Sequence, residues 1–166
     1  DYPKRVIEYL IENEIANGKN VIADIEVKNE NLVKFILKNN SGKFYKVDSN
    51  STVVSMIEES YGNHDNLVCI NGSYEKTLIP KHEIDIIIMD ENFHSVNFNR
   101  ARREFLRILK DNGYVILILN EIKKDTGFGK EYDELLCTYS ESYRKSLISI
   151  EDEEKNIEDF FFPMDI

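Results

Sequence analysis

Lys19-Asn20-Val21-Ile22-Ala23-Asp24-Ile25-Glu26-Val27-Lys28-Asn29-Glu30, running on through Asn31-Leu32-Val33-Lys34-Phe35-Ile36-Leu37, reads as a short apolar strand, a turn and an amphipathic helix. Units of this kind open many nucleotide- and cofactor-binding α/β domains, with the ligand seated over the turn. No glycine occurs between Gly18 and Gly42, although a turn that a ligand approaches closely favours that residue. The functional question turns on that substitution.

Working outward, Val6, Ile7, Leu10 and Ile11 have helical spacing behind Tyr2-Pro3, and Gly18 is placed to end that helix. Downstream, Asn39-Asn40-Ser41-Gly42 is a break, and Phe44 to Asp48 is a second strand that closes on an acid. Ser49-Asn50-Ser51 can cap a helix carrying Val53, Val54, Met56 and Ile57. Leu67 to Ile70 is a third strand, followed by Asn71-Gly72-Ser73. The nearly continuous apolar run Ile84 to Met89 suits a strand buried on both faces. Phe98, Ala101, Phe105, Ile108 and Leu109 repeat at helical spacing. Asp111-Asn112-Gly113 reads as a tight turn into a fifth strand, Tyr114 to Leu119. Beyond it, Lys123 to Lys130 reads as a polar loop and Glu131 to Ile150 as helix.

Strands alternating with helices imply a parallel sheet with helices on both faces, an α/β Rossmann-like three-layer sandwich. With right-handed crossovers the expected strand order is 3-2-1-4-5, and the ligand crevice lies where the winding reverses between the first and fourth strands. We read residues 1–166 as a single domain, with the core sheet and helices in 1–120 and a lid-like helical region with an acidic tail in 121–166.

The chain has 166 residues, 42% hydrophobic and 31% charged, which suits one soluble globular core. Its apolar runs fall short of a membrane span, and no secretory signal precedes the first strand. The net charge of −10 argues against a phosphate-backbone partner. Residues 151–166 carry seven acids and one base, which reads as a solvated face rather than an interaction tail. Cys69 and Cys137 have no metal-type spacing, and no metal is expected. Cys69 in its apolar run reads as a core thiol, which suits the cytoplasm.

Several segments, in order, resemble the class I S-adenosylmethionine-dependent methyltransferases, particularly the small-molecule branch called type 11. They are Tyr2-Pro3, Val21 to Ile25, Val47-Asp48-Ser49-Asn50, Asn71 to Glu75, Ile84-Asp85-Ile86, Phe93-His94, Glu104 to Lys110 and Asn112 to Val115. The resemblance implies S-adenosyl-L-methionine as cofactor and methyl transfer to a small molecule. It puts Asp24 near the amino-acid end of the cofactor and Asp48 on the ribose hydroxyls. It puts Ser49 at the border of the adenine, with Ser73 and Tyr74 flanking that ring. Met89 and Asp90 would lie beneath the reactive methyl, and His94 at the substrate side as a candidate catalytic residue.

Two departures accompany the likeness. The family's glycine-rich turn falls on Glu26-Val27-Lys28-Asn29-Glu30, where side chains project toward the methionine moiety. Also, the chain stops near where the family's sixth strand begins, so its C-terminal strands are expected to be missing. The fifth strand would then be an apolar edge, covered by Phe160-Phe161-Phe162 or by a partner in a homo- or hetero-oligomer. The alternative to an enzyme is therefore a catalytically silent pseudoenzyme that serves as a binding or regulatory partner subunit.

Blander readings stand beside each site. Asp48 could cap a helix, and His94 could cap a loop. His64 and His82 read as surface residues. Asp90 and Glu91 point apart on an extended strand. Arg100, Arg102, Arg103 and Arg107, with Glu104, suit a solvated helix face. The sequence contains no G-x-x-x-x-G-K-[ST], H-E-x-x-H, G-x-S-x-G or paired C-x-x-C motif, and a Rossmann dehydrogenase is disfavoured by the absent G-x-G-x-x-G.

Overall fold

The computed structural model describes residues 5–6, 9–10, 18–90, 97–118, 127–140 and 160. They form β1 (Ile22–Ile25), α1 (Glu30–Asn39), β2 (Phe44–Asp48), α2 (Ser51–Tyr61), β3 (Leu67–Asn71), β4 (Ile84–Asp90), α3 (Phe98–Ile108), β5 (Leu109–Ile118) and α4 (Gly127–Tyr139). The chain divides into two compact units, 1–118 and 119–166.

In the first unit the five strands make one sheet of order β3-β2-β1-β4-β5, the expected order, with every neighbouring pair parallel. The central strands are built of Ile and Val, which fit a pleated surface packed on both sides. On one face, Ile22, Phe44, Ile86, Ile88 and Ile118 pack with Leu32, Val33 and Ile36 of α1 and Ile57 of α2. Ala101, Phe105 and Ile108 of α3 are also buried, and right-handed crossovers put α3 on the opposite face of the sheet. Each large side chain so buried contributes about 1.5–3 kcal/mol of transfer free energy.

All three flanking helices start on asparagine. The Oδ1 atoms of Asn29, Asn50 and Asn97 accept N–H bonds from Asn31 (3.1 Å), Thr52 (3.0 Å) and Arg100 (3.2 Å), satisfying donors that the first helical turn leaves open.

Two segments differ from the sequence reading. Asp111 to Gly113, expected as a turn, belong to β5, where with Lys110 they form a large bulge. Leu109 pairs with Ile84 and Tyr114 with Ile86, so four residues face Asp85 alone. Lys110 Nζ crosses this bulge to both Asp85 carboxylate oxygens, at 2.8 and 2.9 Å.

In the second unit, α4 begins at Gly127, inside the expected loop, and its first two turns stack Phe128 on Tyr132, with centroids 5.9 Å apart. The helical spacing of Phe128, Tyr132, Leu135 and Tyr139 outweighs the two local glycines. Residues 141–150 of the expected helix, Phe161 and Phe162 lie outside the described residues. Among the described residues, no helix is long and apolar enough to cross a membrane.

Candidate cofactor crevice

The crevice is assembled where β1, β2 and β4 end. Parallel register sets Asp24 of β1 directly beside Lys46 of β2. Both side chains are buried, and Lys46 Nζ donates to Asp24 Oδ1 at 2.7 Å and to Val27 O at 2.8 Å. Val27 N–H donates to the same Oδ1 at 3.2 Å. Asp24 Oδ2 is buried and has no hydrogen-bond partner among the described residues. Burial pushes the Asp24 carboxyl up to about 6, a rise that Lys46 opposes without cancelling.

The turn after β1 has the left-handed step that glycine would supply, but at Glu26, with φ of +56°. A non-glycine residue held there costs about 1–2 kcal/mol. The step is pinned by Glu26 N–H donating to Val47 O at 2.8 Å. Val27 turns inward and is buried, while Lys28 N–H reaches Asp90 Oδ2 at 3.3 Å. The Glu26 carboxylate accepts a hydrogen bond from Ser49. Burial first, and then the neighbouring charge of Asp48, raise its pKa against that bond.

Asp48 ends β2, nearly buried, with Oδ1 accepting Asn50 N–H at 2.8 Å. Helix capping falls to Asn50, so Asp48 braces the cap without being the cap. Its backbone carbonyl accepts from Asn71 Nδ2 and from Gly72 N–H, which ties the end of β3 to the end of β2.

Ser73 and Lys76 exchange two backbone hydrogen bonds of 3.0 Å, closing a tight turn that carries Tyr74 inward. The Tyr74 ring is 2% exposed. Burial, followed by the carboxylates of Asp90, Glu26, Asp24 and Asp48, drives its phenol far above the usual range. Tyr74 thus lies in the combined field of four acids from three elements. Met89 is wholly buried in β4, and His94 lies outside the described residues.

The loop beyond Tyr74 is fastened by α3. Glu104 Oε1 accepts Thr77 N–H at 2.8 Å and Thr77 Oγ1–H at 2.6 Å. Arg107 binds both Glu104 oxygens at 2.7 Å and donates to Ile79 O at 2.8 Å. Burial raises the Glu104 carboxyl, but Arg107 and the Thr77 donors outweigh it and hold the group at about 2. Arg100 meets Glu75 in a weaker pair of 3.4 Å. The helix face read as solvated is therefore partly a clamp on the β3–β4 loop.

Asp24, Asp48 and Tyr74 are thus brought together, with Ser49 and Ser73 beside them in sequence. Sequence reasoning missed Lys46, the bond from Ser49 to Glu26, and the Glu104–Arg107 clamp. Lys46 had a readable signal, since a lysine amid the apolar residues of an inner parallel strand needs a partner at its own register.

Residues 29–117 match a family described as a methyltransferase domain. An uncharacterized methyltransferase of Schizosaccharomyces pombe is 24% identical over 120 residues, 72% of this chain and 47% of the relative. The chain therefore spans about half the length of that curated relative. Among solved structures, a SAM-dependent methyltransferase of Aquifex aeolicus aligns over 76% of this chain and 73% of its own, at 20% identity and a TM-score of 0.63. A Methanococcus maripaludis protein classed as an S-adenosyl-L-methionine-dependent methyltransferase aligns over 93% and 74%, at 16% identity and a TM-score of 0.62. With the strand order and the matched segment in agreement, the chain belongs to the type 11 methyltransferase domain family, of the class I fold.

Proposed function

We propose that this domain holds an adenosyl ligand of the S-adenosylmethionine class across the ends of β1, β2 and β4 and serves methyl transfer to a small molecule. Asp48 carries this reading. Its Oδ1 is fixed by Asn50, and no donor among the described residues takes its Oδ2, an arrangement suited to a ribose hydroxyl. Ser49, Ser73 and Tyr74 would border the base, and Asp24 the chain attached at the 5′ position. Met89 and His94 would face the acceptor. The nucleoside half of the cofactor fits these residues. The amino-acid half does not, because Glu26 adds a second carboxyl group beside Asp24 where the family keeps a glycine-rich turn. That Cys69 and Cys137 are thiols supports a cytoplasmic setting.

Glu26 favours a second reading, a catalytically silent subunit that keeps the fold and works through a partner in an oligomer. Calorimetric titration separates the two. Micromolar binding of 5′-deoxy-5′-methylthioadenosine, weakened at least about tenfold in Asp48→Ala, supports the first. Absence of heat at millimolar nucleoside sinks it, and a stable dimer or larger species by light scattering then supports the second.

A further inference from the structure

We infer that the crevice selects an adenosyl ligand whose 5′ side chain is cationic and lacks a carboxylate. The inference rests on the adenosyl reading above. Its grounds are the disposition of donors and acceptors around the first turn.

A ligand carboxylate needs N–H donors or a buried cation, and four of this turn's N–H groups are already assigned, while the Lys28 side chain is exposed. Glu26 N–H goes to Val47 O, Val27 N–H to Asp24, Lys28 N–H to Asp90 and Asn31 N–H to Asn29. The start of α1, which would otherwise attract an anion, carries Glu30 in its first turn. Lys46 is the buried cation, and its ammonium is committed to Asp24 and Val27 O.

Carboxyl groups gather there instead. Asp24, Glu26, Asp48 and Asp90 all act on Tyr74. Asp24 Oδ2 is a fully buried acceptor with no partner among the described residues, a position that a donor satisfies and an anion does not. Among the described residues, no group of three or more His, Cys, Asp or Glu is placed to hold a metal ion. An organic ammonium or sulfonium is therefore the cation that fits.

Three probes at pH 8 and low salt test this by calorimetry: 5′-deoxy-5′-methylthioadenosine, which is neutral, S-adenosylhomocysteine, which carries amine and carboxylate, and decarboxylated S-adenosylmethionine, which is cationic throughout. The decarboxylated probe should bind at least about tenfold more tightly than S-adenosylhomocysteine. Glu26→Gln should narrow that ratio to about threefold or less. If S-adenosylhomocysteine binds as tightly as the decarboxylated probe, the inference falls while the adenosyl reading stands. If none of the three binds, both fall.

Discussion

Lys46 and Asp24 sit side by side on adjacent parallel strands, Nζ 2.7 Å from Oδ1, at 1% and 0% exposure. A pair this deep adds little over an apolar pair of the same size, yet breaking it leaves a buried charge. Lys46→Met should lower stability by about 3–5 kcal/mol and push the Asp24 carboxyl above its present value of about 6. Lys46→Met combined with Asp24→Asn should recover most of that loss. Urea unfolding of the three variants checks it, and simple additivity would contradict the pairing.

Two carboxyls set opposite slopes of stability with pH. Asp24 is raised from 3.8 to about 6, so its contribution is complete below about pH 4 and is lost as pH rises through 6, by about 3 kcal/mol at 1.36 kcal/mol per unit. Glu104 is held at about 2, so its contribution is present above about pH 4.5 and is lost as pH falls toward 2. Thermal unfolding followed from pH 3 to 8 should show Asp24→Asn flattening the descent between pH 4 and 7. Glu104→Gln should flatten the acid limb and leave the other unchanged.

Gly72 has no room for a methyl group. A Cβ there would lie 2.9 Å from Lys76 O and 3.1 Å from Val47 Cγ1. Gly72→Ala must displace either the turn carrying Tyr74 or the end of β2, at a cost of about 1–3 kcal/mol. Denaturant midpoints measure this, and a neutral result would show that the loop yields.

Burial, then the charge of Glu58, pushes the Cys69 thiol up to about 11. At pH 8 its thiolate fraction is about a hundredfold below that of a thiol at the ordinary value of 9.0. Iodoacetamide should alkylate Cys69 at least about a hundredfold faster in urea than in the native protein, as followed by peptide mass spectrometry.

The sheet was legible because its signals are local and repeated. Ile-Val runs mark inner strands, asparagine precedes three helices, and short connections limit the order to β3-β2-β1-β4-β5. Asp24, Asp48 and Tyr74, singled out by the family resemblance, lie near one another because strand ends in this fold converge. What escaped depends on pairings between distant segments. Lys46 looks like a surface lysine until the register of β1 and β2 is known. Glu26 shows no sign in one dimension that it accepts a left-handed backbone. Arg107 resembles its solvated neighbours, and only the approach of Thr77 and Ile79 to α3 distinguishes it. Asp111 to Gly113 of the bulge read as a turn because Asn-Gly favours one, whereas the partner strand decides whether the chain reverses or only swells.

The sheet also ends unequally. Among the described residues, one outer strand is β3, five residues long, and the other is β5, ten residues long and joined to Asp85 across its bulge. Past the bulge at Lys110–Gly113, the regular ladder of β5 runs from Tyr114 to Ile118, the same length as β3. Any strand added on the β5 side should therefore begin at Tyr114, with the bulge as a built-in stop to its register.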